Sequence, residues 1–279
     1  MLIGIDVGNT NITVGIFNEG ARGPCEHSAG KNDAAMHGFA PLHAWRFTTR
    51  QYMTADELSA PILVHLAHTG IQAESIRAGV VACVVPALER SIRAMFANTF
   101  GLGDPLFIDH TTDCGLGFEY PRPSEIGADR IVNAAAGLAL YGKPLLIVDF
   151  GTATTFCCIS REGNYLGGQI LPGVDISLQA LTSRAAKLTS VPIAEPARVI
   201  GKSTGEGMVA GIYYQTMGAL ELIIRRIKEE MREPDLRIIA TGGLSALFSG
   251  ASSGIDVIDQ DLTLKGLKLI YERRAAAHA

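Results

Sequence analysis

Apolar residues along this chain switch between a two-residue and a helical period, and one short arrangement of the first kind occurs twice. The opening segment Met1-Leu-Ile-Gly-Ile-Asp6-Val-Gly8-Asn9-Thr10 is a brief apolar run ending in Asp-x-Gly and a hydroxyl-rich turn. Leu145-Leu-Ile-Val-Asp149-Phe-Gly151-Thr152-Ala-Thr154 repeats it about half a chain later. A second β-prone run follows each copy, at 12–17 and 154–159, so each copy predicts a buried strand, a tight turn and a return strand. Such a strand leaves a carboxylate at its tip, and glycine lets the turn's amides approach an anion closely. Two such turns facing one another across a cleft would hold the phosphates of a nucleotide and its metal. The repeat therefore predicts two similar domains.

The remaining pattern fills in an alternation of strands and helices. After the first return strand, 18–41 is rich in Gly, Ala, Asn and His without a sustained period and reads as a surface excursion. A strand is expected at 42–47. Thr54 and Glu57 form a capping box ahead of Leu58, Ile62 and Leu66, which predicts a helix. The run 79–85 reads as a buried strand, 86–100 as an amphipathic helix and 106–108 as a short last strand of this half. Prolines in 111–127 favour extended backbone. Ile131, Ala134, Ala135 and Leu138 predict a helix over 128–141 that opens the second domain. Further helices are expected at 209–231 and 260–273, with a strand at 237–240 running into Thr241-Gly242-Gly243. The tail 275–279 reads as disordered. The expectation is an α/β duplication, with domains at 1–125 and 126–279.

Composition narrows the class. The chain has 279 residues, 47% of them hydrophobic and 19% charged, enough for two domains with cores. A net charge of −4 and a pI near 6.0 argue against a broad nucleic-acid or anionic-membrane surface. No apolar run approaches the roughly 20 residues that span a bilayer, and no signal-peptide core follows the N-terminus, so a cytoplasmic location is expected. The five cysteines, Cys25, Cys83, Cys114, Cys157 and Cys158, are odd in number and lack a Cys-x-x-Cys pair. Cys83, Cys157 and Cys158 lie in apolar runs and read as core. His65 and His68 lack the spacing of a metal pair, and His27, His37 and His43 read as solvated loop residues.

Five motifs occur in order: Asp6-Val-Gly8-Asn9-Thr10-Asn11, Gly127-Ala128-Asp129-Arg130, Asp149-Phe-Gly151-Thr152-Ala-Thr154, Gly167-Gly168-x-Ile170-x-Pro172-Gly173 and Thr241-Gly242-Gly243. In this order and spacing the chain resembles the type III pantothenate kinases, within the acetate and sugar kinase, Hsc70 and actin superfamily. The resemblance covers nearly the whole chain except 18–41 and the alanine tail. It implies duplicated ribonuclease H-like, actin-like ATPase domains with a nucleotide cleft between them. It also implies ATP-dependent phosphorylation of the 4′-hydroxyl of pantothenate, the first step of coenzyme A biosynthesis.

The residues support phosphoryl transfer on their own terms, since that chemistry needs positioning and charge neutralisation more than a covalent nucleophile. Gly8, Asn9 and Thr10 offer hydrogen bonds to a phosphate, and Asp6 is an oxygen ligand suited to Mg²⁺. Asp129, beside Arg130 at a helix start, is placed to orient a substrate hydroxyl and take its proton late. Arg130's planar fork suits oxyanions. Each has a plainer reading: a strand-end turn for Asp6, a helix N-terminal carboxylate for Asp129 and an ion pair for Arg130. Asn133, one turn further on, reads as securing the loop.

The resemblance assigns Asp6, Val7, Gly8, Asn9, Thr10, Asn11, Ile12, Thr13 and Thr152 to ATP. It gives Tyr120, Gly127, Ala128, Asp129, Arg130 and Thr204 to pantothenate, with Thr204 reaching into the neighbouring subunit of a homodimer. Asp149 is assigned a monovalent cation, K⁺ or NH₄⁺; the residues alone leave it open between that ion and Mg²⁺. This chain departs from the family at Thr155-Phe156-Cys157, where many members carry Asp in the last position. Cys157 is therefore kept out of the site. Thr241-Gly242-Gly243 offers a small-residue surface to an adenosine, or is a plain turn. Gly201-Lys202-Ser203-Thr204 mimics the end of a Walker A motif, but Pro196 stands where its first glycine belongs, so a P-loop is not expected. Two other classes remain at this stage: a sugar or acetate kinase of the same superfamily, and a non-enzymatic relative acting as an accessory factor in transcription.

Overall fold

A computed structural model describes residues 1–18, 38–184, 191–250 and 254–277. Most of the 18–41 excursion, with Cys25, His27 and His37, lies outside the described residues. In chain order the strands are β1 (Leu2–Val7), β2 (Asn11–Phe17), β3 (His43–Thr48), β4 (Ala78–Cys83), β5 (Leu106–Phe107), β6 (Gly117–Phe118), β7 (Leu145–Phe150), β8 (Ala153–Ile159), β9 (Asn164–Pro172), β10 (Arg237–Thr241) and β11 (Val257–Ile258). The helices are α1 (Ala55–Thr69), α2 (Glu89–Phe100), α3 (Ala128–Tyr141), α4 (Val174–Arg184), α5 (Thr204–Met231) and α6 (Leu262–Ala277).

The chain forms two compact units, Met1–Tyr141 with Asp261–Ala279, and Gly142–Gln260. In the first, the strand order is β3-β2-β1-β4-β5. β1 pairs antiparallel with β2 and parallel with β4. The second unit repeats the scheme: β7 pairs antiparallel with β8 and parallel with β10, β9 flanks β8 and β11 flanks β10. Both central strands are buried except at the aspartate. Ile3, Ile5, Val14, Leu58, Ile62, Ile92 and Phe96 build the first core. Leu146, Val148, Phe156, Leu178, Ile212, Leu220 and Ile224 build the second.

Local chemistry sets the helix ends. The expected capping box is present: the Thr54 hydroxyl accepts from the Glu57 N–H, and the Glu57 carboxylate accepts from the Thr54 N–H at 2.9 Å. The helix expected from 86 starts as a 3-10 turn over Pro86–Leu88 before α2. α5 begins at Thr204 rather than 209, because the Ser203 hydroxyl caps it by accepting from the Glu206 N–H at 3.2 Å. The Glu206 carboxylate in turn accepts from the Lys202 N–H at 2.7 Å. The Walker-like tetrapeptide thus leads into a helix, with Ser203 as its cap. α6 continues to Ala277, which corrects the expected disorder over 275–277: alanine has the highest helix propensity. The hydrophobic pattern does not announce β9 or α4, since glycines hide the strand's alternation.

The compact units do not follow the expected division at 125/126. Helices α3 and α6, both expected in the second half, pack in the first unit. Leu267 and Leu264 of α6 rest on Gly4 and Gly15, where the missing side chains of β1 and β2 leave room for them. Periodicity shows that a helix has an apolar face, but not which sheet that face covers.

Candidate functional site

The first Asp-x-Gly turn joins β1 to β2. Asp6 is opposite Thr13 on one side and Ala82 on the other, at the carboxyl end of β1. The Gly8 N–H donates to the Asn11 carbonyl at 3.0 Å, which closes the turn. Thr49, just past β3, braces it from outside: its hydroxyl donates to the Gly8 carbonyl at 2.7 Å and its N–H to the Thr10 carbonyl at 2.9 Å. Asn9, Thr10 and Asn11 are exposed, as a ligand-facing turn requires. Val7 and Ile12 are buried in the core, so of the residues assigned to ATP these two offer only backbone.

Asp129 stands in the same unit. β4 runs alongside β1, and the Val84 N–H continues that ladder to the Val7 carbonyl at 3.0 Å. Gly127 then lies against Val84, where a Cβ would sit 3.4 Å from Val84 Cγ1 and 2.5 Å from Asp129 Oδ1. The strand ends thus carry the Asp6 turn, Val84 and the start of α3 in succession. Asp129 Oδ1 accepts from the Arg130 N–H at 2.8 Å. Burial holds the Asp129 carboxyl above the usual carboxylate range, against the opposing pull of the Arg130 backbone and charge. A carboxyl so placed holds a proton more tightly than a solvated one.

Cys83, which the sequence marks as core, is only half-buried at the tip of β4. Its thiol donates to the Val85 carbonyl, and burial pushes its pKa up to about 11, with Glu89 and Asp6 adding to the rise. It is therefore a neutral neighbour of the Asp6 turn and no nucleophile. Cys157 and Cys158 are buried, as expected.

The second turn joins β7 to β8, with Asp149 opposite Thr155 and Thr241. Glycines lie close to its carboxylate. A Cβ on Gly242 would lie 2.6 Å from Asp149 Oδ1, and one on Gly151 would lie 3.4 Å from the same atom. Gly242 also has φ of 89°, the left-handed region where side chains are strained. The Asp149 carboxylate thus sits in a cradle that side chains would fill, and its hard oxygens suit a cation. Gly173, just before α4, presses on the turn: a Cβ there would sit 2.1 Å from the Thr152 carbonyl oxygen. Thr152 itself is exposed.

The structure therefore brings Asp6–Thr13 and Gly127–Arg130 together in one unit, and Asp149, Thr152, Gly173 and Thr241–Gly243 together in the other. Tyr120 is half-buried in the first unit, just past β6, and Thr204 is exposed at the start of α5 in the second. Two braces come only with the fold, Thr49 on the first turn and Gly173 on the second. Thr49 has no local sequence signal, and Gly173, although it ends one of the five motifs, gives no sign there of the turn on which it acts. No group of three His, Cys, Asp or Glu side chains converges on a point among the described residues. A Mg²⁺ at Asp6 would therefore complete its shell with phosphate oxygens and water, which is its usual habit.

Two units on one repeated strand plan, each with a carboxylate beside a tight turn, have the actin-like ATPase and sugar kinase fold, and the chain is a kinase of that fold. Solved structures share that fold at low identity. A Sinorhizobium meliloti protein proposed as a 2-dehydro-3-deoxygalactonokinase matches with a TM-score of 0.55 at 12% identity, over 98% of this chain and 96% of its own. The activator of 2-hydroxyisocaproyl-CoA dehydratase from Clostridium difficile, solved with bound ADPNP, matches at 0.51 and 11%, over 99% and 97%. A Campylobacter jejuni protein proposed as a Baf-family transcriptional activator matches at 0.52 and 17%, over 98% and 99%. The chain belongs to the type III pantothenate kinase family, whose model matches residues 2–226. Among the described residues no helix is long and apolar enough to cross a membrane.

Proposed function

We propose that this kinase transfers the γ-phosphoryl group of ATP to the 4′-hydroxyl of pantothenate, with Asp129 as general base. The observation that supports it most is the state of Asp129. One carboxylate oxygen accepts from the Arg130 N–H at the start of the helix, while burial raises the group's proton affinity. The carboxylate orients the alcohol, which is too weak an acid to ionise first, and takes its proton as the alcohol oxygen attacks phosphorus. Asp6 to Thr13 and Thr152 bind ATP, and Tyr120, Gly127, Ala128, Arg130 and Thr204 bind pantothenate. Mg²⁺ held near Asp6 would offset charge on the phosphates. A potassium or ammonium ion at Asp149 would do the same beside the second turn.

The test is ADP formation from ATP with pantothenate, set beside glucose, acetate and no acceptor, with the product's mass measured. Pantothenate-dependent ADP and a singly phosphorylated product are expected. ADP formed only with a sugar or with acetate would replace the substrate assignment. In this reading the enzyme is a cytoplasmic homodimer in which Thr204 serves the partner's site. Mixed Asp129→Asn and Thr204→Arg subunits would then regain activity, because one site of each mixed dimer carries neither defect.

A further inference from the structure

The C-terminal helix α6 lies beyond the 2–226 span of the family match, yet it touches both working parts of the first unit. Leu264 and Leu267 fill the hollows at Gly15 and Gly4 on the two strands that carry the Asp6 turn. On its other side, Gly266 brings α6 close to α3, where a Cβ would sit 2.6 Å from the Val132 carbonyl and 2.7 Å from Val132 Cγ1. A polar bond joins the helices: the Thr263 hydroxyl donates to Asn133 Oδ1 at 2.7 Å. Asn133 is buried, with 2% exposure, and lies one helical turn beyond Asp129.

We infer that α6 is a splint setting Asp129 relative to the Asp6 turn, and that Thr263 is a positioning residue acting through Asn133. Apolar packing between helices tolerates small slides and rotations, since such contacts have no preferred direction. A buried hydrogen bond does have one, and it costs free energy when broken without a replacement. It therefore fixes the rotation of α3 about its axis. Asp129 is in the first turn of α3, so that rotation decides where its carboxylate points. Glycine at 266 is what permits the contact.

The inference rests on Asp129 being the base, and the experiment separates the two ideas. Thr263→Val keeps the shape and removes the hydroxyl. It is expected to lower kcat about 5- to 20-fold with KM for ATP within about twofold, because misplacing a catalytic group costs rate rather than nucleotide binding. Thr263→Ser keeps the donor and should restore most of kcat. In an Asp129→Asn background, Thr263→Val should change the residual rate little, since there is no base left to misplace. Gly266→Ala, which pushes on the Val132 carbonyl, tests the splint at a second point and should show the same kcat pattern. If Asp129→Asn abolishes turnover while neither Thr263→Val nor Gly266→Ala moves kcat, the splint is overturned and the base assignment stands. If Asp129→Asn keeps near-normal turnover, the base assignment fails, and the splint with it. If Thr263→Ser is as slow as Thr263→Val, the hydrogen bond is not the cause and the inference also falls.

Discussion

The two Asp-x-Gly hairpins start from the same strand plan and are finished differently. Asp6 and Asp149 each sit one residue before the end of a buried central strand, between an antiparallel and a parallel neighbour. At the first hairpin the neighbouring backbone carries chemistry: Val84 and Gly127 lead to Asp129, and the turn is braced by the Thr49 side chain. At the second, glycines close in: Gly242 and Gly151 around the carboxylate, Gly173 on the turn. In the proposed function this difference becomes a division of labour: the first unit supplies the general base, and the second supplies close backbone and a carboxylate that suits holding charge.

The comparison breaks most visibly at the two aspartates. Asp129→Asn should cut turnover by about 10²-fold or more while KM for ATP changes little, because an amide keeps the shape but cannot take a proton. Asp149→Ala should act on ions instead: turnover should fall by less, and the gain from potassium or ammonium over sodium should disappear. Turnover curves on ion titration separate the two outcomes. An Asp149→Ala enzyme that still responds to monovalent ions would remove the cation from that hairpin.

The braces give the next contrast. Gly173→Ala places a methyl into the Thr152 carbonyl and should cost about 1–3 kcal/mol, seen as a lower Tm and a higher KM for ATP. Gly8→Ala should be milder, since its Cβ would meet only the Asn11 carbonyl at 3.1 Å. Thr49→Val loses one hydrogen bond and should cost about 1 kcal/mol. Equal losses for Gly173→Ala and Gly8→Ala would mean that the second turn is no tighter than the first.

Much of this pairing is legible in the sequence because it is local. Asp-x-Gly after an apolar run announces a strand and its turn, and Thr54 with Glu57 announces a helix start. What stays hidden depends on distant parts of the chain. No pattern near Gly8 points to Thr49, and none near Gly151 points to Gly173. The motif Thr241-Gly242-Gly243 reads as a surface for adenosine, whereas its first glycine lies against Asp149. Sequence order assigns helix α3 to the half that follows it, because it does not reveal that α6 returns to pack on α3. Asp129 itself is picked out by its motif, but the close approach of Val84 and Gly127 that shelters it comes only with the fold.

That burial gives the smallest expected effect and a test of the first hairpin's character. Burial raises the native Asp129 pKa above its unfolded value, so the native chain holds this proton more tightly. The stability it contributes is full below the unfolded pKa and is lost as pH rises through the folded one. At neutral pH the wild type therefore bears the cost of a half-buried charge, which the neutral amide of the Asp129→Asn variant would not carry. That variant should then melt slightly higher than wild type at pH 7, despite its lost turnover, and the gap should close as the pH is lowered into the carboxylate range. With Asp129 as the proposed base, activity and stability would be opposed at this residue. Melting curves of the two proteins across that range decide it. A variant that melts lower than wild type at pH 7, or a gap that widens on acidification, would show that Asp129 is held by favourable charge contacts and not strained by burial.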